Sequence, residues 1–384
     1  MKIGIIGNYG HHNNGDEAIL MGILKQLTEE LAISKTDIVI FSHNPENTEE
    51  RYGVRAIPLL SRKKSLLLTI LATLKANYLR MKELDVLIIG GGGLLMDLYK
   101  RDAPLYATLG MLGHYAGCKV VIYGVGAGPI RTKAGAFFIK QLLKKAQQIS
   151  VRDESSRKLL QSLQVKKEIE VIGDPALFLA RSSKKMQRDS VRQIAVTAVP
   201  YYSSQYWPTT DEQKYQQYIS GMAQNLDELI RQKGVHITFF STKYPQDVQV
   251  TKDIASFMQY RDKVVIIDQN LYPSEILSLC ESHDLVIGTR LHSLILGIAA
   301  KTPVIGVGYH PKVQHFLTAI QQLDRYIAIE KLAQDDQLML QMVNEIEKNW
   351  PEVQQRIELI SENMKNEAEK GIQLLQRIIG EKHV

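Results

Sequence analysis

The chain has 384 residues, 45% of them hydrophobic and 23% charged, with a formal net charge of +6. That length exceeds one ordinary domain, and that composition excludes disorder over most of it. The two cysteines, Cys118 and Cys280, stand in neither a metal-ligand nor a redox spacing, and the longest apolar run, Leu66 to Leu74, is too short to span a bilayer.

The first predicted strand, Lys2–Gly7, runs into Gly7-Asn8-Tyr9-Gly10-His11-His12-Asn13-Asn14-Gly15-Asp16-Glu17-Ala18. Lacking both a long apolar stretch and a cleavage site, this start does not read as a signal peptide, so a cytoplasmic protein is expected. The glycines permit a tight turn, and the helix expected over Asp16–Leu31 offers free N–H groups at its start. The loop is not a dinucleotide fingerprint. Asp16 reads either as a helix N-cap or as a carboxylate facing a cleft, available there as a base. His11 and His12 complete no zinc spacing and no Asp-x-Asp pair occurs in the chain, so no metal is expected.

After a strand at Asp37–Ser42, the stretch Arg51–Arg101 holds ten Lys/Arg against three Asp/Glu. Such a surface suits phosphate groups or an anionic membrane, or is simply solvated, and no nucleic-acid motif accompanies it. Within it, Arg62-Lys63-Lys64 precede an apolar helical segment, Ser65–Met81, closed by Arg80 and Lys82. That helix either lies on an anionic membrane surface or is buried in the first domain. The strand Asp85–Gly90 then opens into Gly90-Gly91-Gly92-Gly93-Leu94-Leu95-Met96-Asp97, where glycines serve close packing or ligand contact. Lys119–Gly124 ends similarly in Gly124–Pro129. Gln148–Arg152 brings Arg152 to a strand end, to bind a ligand or to pair with Asp153, and Glu168–Ile172 follows.

Composition shifts at Ala180–Gln193, read as a linker, and strands restart at Ile194–Val199, His236–Ser241, Lys263–Asp268, Asp284–Gly288 and Val304–Val307. The expected organisation is a first α/β domain over 1–180, a linker over 181–193 and a second α/β domain over 194–350. A C-terminal helix over 351–384 then crosses back, and the active site lies in the cleft between the domains. In doubly wound sheets ligands sit beyond the carboxyl ends of the strands. Gly288-Thr289-Arg290-Leu291-His292-Ser293 joins a fixed cation, an acid–base group and helix N–H donors at one such end, which suits a phosphate-bearing substrate. Tyr309-His310-Pro311-Lys312 adds a cation at the same edge.

In order and spacing, Asn14–Ala18, Gly90–Asp97, Gly124–Pro129, Ser150–Asp153, Asp174-Pro175-Ala176, Thr289–His292 and Tyr309–Lys312 resemble the polysaccharide pyruvyltransferases. The resemblance implies two Rossmann-like domains as in the GT-B glycosyltransferases, the first on the acceptor side and the second on the donor side, with the C-terminal helix returning to the first. It implies phosphoenolpyruvate as co-substrate with no further cofactor. The acceptor would be a glycan or lipid-linked glycan at the inner face of the membrane, and the product a pyruvate ketal. Arg152, Arg290, Leu291 and His292 carry over as donor-handling residues. Lys312 joins them, and His292 and Asp16 are the acid–base candidates. Asn14, Glu17, Gly91, Gly92, Asp97 and Tyr201 remain as cleft or acceptor candidates. Many relatives have an arginine at the end of the second domain's first strand, where this chain reads Ala198-Val199-Pro200-Tyr201, so the Tyr201–Trp207 loop is assigned to acceptor specificity. The competing readings are a GT-B glycosyltransferase using a nucleotide sugar and a non-catalytic glycan-binding partner.

Overall fold

The computed structural model describes residues 1–97, 102–180, 189–207 and 209–380. Most of the expected linker, residues 181–188, therefore lies outside the described residues. The chain forms two compact units, the first from residues 1–11, 16–179 and the C-terminal stretch from Met364, the second from residues 12–15 and 180–363.

The first unit holds a seven-stranded sheet of β1 Ile3–Ile6, β2 Ile38–Ser42, β3 Ala56–Pro58, β4 Val86–Gly90, β5 Lys119–Val125, β6 Gln148–Val151 and β7 Glu170–Val171. Their spatial order is β3-β2-β1-β4-β5-β6-β7. The second unit holds β8 Gln193–Thr197, β9 His236–Phe239, β10 Val264–Ile266, β11 Leu285–Gly288, β12 Val304–Gly308 and β13 Tyr326–Ala328, ordered β10-β9-β8-β11-β12-β13. All neighbours pair in parallel, with Ile3 opposite Val86 in one sheet and Leu285 opposite Ile194 in the other. Helices cover both faces of such sheets. The central strands are therefore unbroken apolar runs such as Val86-Leu87-Ile88-Ile89, buried along their whole length.

Each sheet reverses its winding once, between β1 and β4 and between β8 and β11. Those switch points are where open α/β sheets leave a crevice for a ligand. In the first unit they carry the loop after β1 and the glycine run after β4. In the second they carry Ala198–Pro200 and Thr289–Arg290.

Two local features depart from expectation, the short edge strands and the widened end of the first helix. The edge strands β3 and β13 have three residues each, too few to display a periodicity. The first helix runs as an α-helix over Asn14–Lys25 and then widens into a π-turn at Gln26–Glu30. There the buried Gln26 side chain donates to the Ala368 carbonyl at 3.0 Å and accepts from the Tyr123 hydroxyl at 2.7 Å, so its amide is satisfied inside the core. The last helix, Trp350–Gly380, is continuous over 31 residues, or about 46 Å at ~1.5 Å per residue. Its residues to Asn363 belong to the second unit and those from Met364 to the first.

Candidate active site

In the second unit the turn after β11 is fixed by short polar contacts. The Thr289 hydroxyl donates to the Thr197 carbonyl at 3.1 Å, tying the ends of β8 and β11 together. The Ser293 hydroxyl donates to the Arg290 carbonyl at 2.6 Å. Arg290 thereby caps the helix Leu291–Ala299, with Leu291 and His292 in its first turn, both half-buried.

The Arg290 guanidinium is held from one side by Asp247, whose carboxylate is fully buried. Nη2 donates to Oδ1 at 2.6 Å and Nε to Oδ2 at 3.2 Å, while Oδ2 also accepts from the Lys243 backbone N–H at 2.9 Å. Burial alone would lower the arginine's pKa, but the adjacent carboxylate and Tyr309 raise it above its usual value, leaving a permanent cation. Sequence reasoning missed Asp247. Its only signal is an acid in the first turn of the helix Gln246–Phe257, which follows β9.

His292 meets an unexpected neighbour. Residues 12–15, although they follow β1 by only a few residues, pack within the second unit. The Asn14 N–H donates to the Thr242 carbonyl at 2.7 Å and the Tyr244 N–H to the His12 carbonyl at 3.0 Å. The buried Asn14 side chain donates to Asn270 Oδ1 at 3.3 Å. Gly15 then abuts the imidazole, since a Cβ there would stand 2.2 Å from His292 Nδ1 and 2.6 Å from Cγ. No side chain fits, which gives the glycine of Asn14-Gly15-Asp16 a physical reason.

Two further second-unit candidates lie nearby in the fold. Lys312 is half-buried in the first turn of the helix Pro311–Ala319, which follows β12, the strand next to β11. Tyr201 is no open cleft residue. Its hydroxyl donates to Glu330 at 2.8 Å, and its ring packs among Tyr202, Trp207, Tyr218 and Tyr309 at centroid distances of 4.6 to 6.1 Å. Beside that loop a cavity of about 340 Å³ is lined by Ser203, Tyr206, Tyr215, Gln249 and Asp253.

In the first unit, Asp16 lies inside the first turn of its helix, so the N-cap reading does not hold. It is buried and accepts from Asn8 Nδ2 at 2.8 Å. Gly92, at φ +61°, passes so close that a Cβ would stand 2.4 Å from Asp16 Oδ1; Gly91, at φ +75°, closes against Ile19 instead. Glu17 is a buried acceptor for the Gly10 N–H at 2.8 Å and the Tyr52 hydroxyl at 2.6 Å. Burial raises its pKa despite both donors. Asp97 accepts from the N–H groups of Arg131 at 2.7 Å and Thr132 at 2.6 Å, which fastens the turn before the helix Lys133–Lys145. Burial pushes its pKa up, yet those donors outweigh it and the carboxyl titrates below its usual range. Arg152 has Nε 3.3 Å from Asp153 and Nη1 3.3 Å from the buried Asp174, so the expected pairing with Asp153 is present and a second acid is added.

The adjacent histidines diverge. His11 stacks on His43 at 3.9 Å between centroids, whereas His12 Nδ1 lies 2.9 Å from Asn270 Nδ2. Among the described residues, no group of three or more His, Cys, Asp or Glu is placed to hold a metal ion.

Comparison with known proteins adds an independent line. The family model described as polysaccharide pyruvyl transferase matches residues 13–311, a span that opens on the segment packed against His292 and closes beside Lys312. The amylovoran biosynthesis protein AmsJ of Erwinia amylovora is 22% identical over 408 residues, covering 93% of this chain and 94% of that protein. A UDP-GlcNAc 2-epimerase from Neisseria meningitidis, solved with UDP-GlcNAc bound, is similar in fold at TM-score 0.64 and 11% identity, covering 100% of both chains. A glycosyltransferase from Rickettsia africae is similar at TM-score 0.60 and 14% identity, covering 100% of this chain and 99% of that one. At such identities these structures speak for the fold alone, which is GT-B-like.

Proposed function

The chain belongs to the polysaccharide pyruvyl transferase family, and from that membership we propose that it transfers pyruvate from phosphoenolpyruvate to a pair of sugar hydroxyls on an exopolysaccharide or its precursor. The observation that carries this reading is the turn Gly288–Ser293. It joins a permanently charged arginine, an imidazole and the start of an apolar helix at a switch point. Phosphoenolpyruvate presents a carboxylate and a phosphate, and both groups call for fixed cations and N–H donors. Arg290 and Lys312 are assigned to these anionic groups, with Leu291 shaping the turn.

His292 is assigned the proton transfer. A proton added to the methylene carbon of phosphoenolpyruvate leaves an oxocarbenium-like C2. One sugar hydroxyl attacks that carbon and loses its proton. The second hydroxyl then forms the other C–O bond as the C2–O bond to phosphate breaks. Of the two hydroxyl protons, one balances the proton placed on the methyl group and the other leaves with hydrogen phosphate. An imidazole can both give and take a proton through its two ring nitrogens, which suits these transfers. Asp16 is the proposed base and Arg152 a proposed donor contact, each to be tested on its own. The aromatic loop Tyr201–Trp207, with the polar cavity beside it, is assigned to the acceptor. The name of the Erwinia relative supports an exopolysaccharide in that role.

The test incubates the protein with phosphoenolpyruvate and a panel of oligosaccharide acceptors, following phosphate release and the new ketal methyl group by NMR. Acceptor-dependent phosphate release with a ketal product is expected. Sugar transfer from a UDP-sugar, with phosphoenolpyruvate inert, would overturn the proposal in favour of a glycosyltransferase.

A further inference from the structure

The helix Leu66–Met81 of the first unit is built inside out. Its packed side is largely polar, with Thr73 and Asn77 buried beside Met81, and Thr69 half-buried. The Thr73 hydroxyl accepts from the Ser61 N–H at 2.9 Å, the Thr69 hydroxyl accepts from the Lys63 N–H at 2.8 Å, and Asn77 Nδ2 donates to the Leu59 carbonyl at 2.9 Å. Five of its six leucines point outward, Leu74 being half-buried. Leu66 is 78% and Leu67 66% exposed, Leu68, Leu71 and Leu79 are each more than half exposed, and Ile70 nearly so. Ordinary surface helices bury the apolar stripe and expose the polar one, so this reversal costs hydration free energy unless another phase covers the leucines.

The charge around that face indicates what covers it. Between Ser61 and Lys82 the sequence has six cations, Arg62, Lys63, Lys64, Lys75, Arg80 and Lys82, and no acid. Three of them immediately precede the helix, where its macrodipole already carries partial positive charge and cations are disfavoured. Neither the helix nor an acid within this segment compensates them. A second copy of the same face would bring six more cations and no anion. A bilayer carrying anionic headgroups matches both properties, taking the leucines into its acyl boundary and the cations at its phosphates. With 16 residues the helix is too short to cross a bilayer and long enough to lie along its surface, and among the described residues no helix is long and apolar enough to cross a membrane.

We propose that the exposed leucine face of Leu66–Met81, with Arg62, Lys63 and Lys64 at its head, docks the first unit onto an anionic membrane surface. The test is flotation of the full chain with vesicles of phosphatidylcholine alone or with phosphatidylglycerol added, which needs neither donor nor acceptor and is independent of the transferase reading. Partitioning about ten-fold or more stronger onto the anionic vesicles is expected, since each cation near such a surface contributes a few-fold. K63E/K64E should erase that preference. L67D/L71D should weaken binding to the anionic vesicles by about ten-fold or more. Both pairs are exposed, so an unchanged thermal melt serves as the folding control. Equal recovery with both vesicle types, or wild-type flotation of L67D/L71D, would overturn the proposal. So would concentration-dependent dimerisation without lipid that L67D/L71D abolishes, which would make the face a contact between copies of the chain.

Discussion

Arg290 and Asp247 are joined at two points, Nη2 to Oδ1 at 2.6 Å and Nε to Oδ2 at 3.2 Å, and the carboxylate has no exposed surface. One edge of the guanidinium is therefore committed to the protein. A strand-end arginine reads from sequence as pure ligand-binding equipment, removable without harm to the fold. The ion pair changes that expectation. Arg290→Ala leaves a buried carboxylate without its cation and should cost about 3–5 kcal/mol of stability. Loss of a charge-assisted donor contact should also lower kcat/KM for the donor by about 10- to 150-fold. Arg290→Lys should recover part of the stability and little of the kcat/KM, because an ammonium cannot reproduce the two-pronged geometry. Urea unfolding and donor-saturation kinetics measure the two effects. An Arg290→Ala protein of wild-type stability would contradict the assigned pair.

Gly15 and His292 give a second test, because a Cβ at residue 15 collides with Nδ1 and Cγ of the imidazole and crowds the His292 Cβ. His292→Ala should lower kcat by about 10²- to 10⁴-fold with the melting temperature within a few degrees of wild type. Gly15→Ala should lower kcat comparably by displacing the ring, and should also destabilise the protein by about 1–3 kcal/mol through overpacking. In the double variant the collision largely disappears, so stability should return toward that of His292→Ala. Strict additivity of the two stability changes would show that the residues do not touch.

The strands were legible in the sequence because both faces of each sheet are covered, and unbroken aliphatic runs such as Val86–Ile89 have no other stable use. The glycine-rich strand ends were legible for a related reason, as Gly92 passes Asp16 and Gly15 passes His292 at distances that exclude a side chain. Partners distant in sequence were not legible. Asp247 precedes Arg290 by 43 residues and carries no local mark of its burial. The transfer of residues 12–15 to the second unit rests on bonds to Thr242, Tyr244 and Asn270, which no periodicity announces. For Leu66–Met81 the pattern left burial and surface exposure open, because a leucine run looks the same from sequence in either setting.

Asp97 distinguishes a structural carboxylate from an acceptor contact. Both N–H groups it accepts belong to the turn at Arg131 and Thr132. Asp97→Ala should destabilise the protein by about 2–3 kcal/mol by leaving those donors unsatisfied, while acceptor KM in the stable remainder stays near wild type. Asp97→Asn, which keeps one acceptor oxygen, should lie between. A large rise in acceptor KM with an unchanged melt would return Asp97 to the acceptor site.

His43 predicts how stability responds to acid. Burial, then the neighbouring His11 and Arg62, lower its pKa from 6.5 to about 4. A histidine depressed in the folded state is protonated first in the unfolded chain. Its stabilisation is therefore complete above about pH 6.5 and drains away as pH falls toward 4. At ~1.36 kcal/mol per unit the loss reaches about 3 kcal/mol. Glu17 acts with the opposite sign. Burial raises its folded pKa above 4.5, so its contribution is complete below that value and is lost as pH rises through the folded pKa. Urea unfolding at several pH values between 7 and 4.5 should show wild-type stability falling by on the order of one proton's worth per unit below pH 6.5. His43→Phe, which keeps a ring to stack on His11, should remove most of that slope, whereas Glu17→Gln should leave the fall between pH 6.5 and 5 in place. If His43→Phe loses stability with acid as steeply as wild type, His43 is not the group that charges on unfolding.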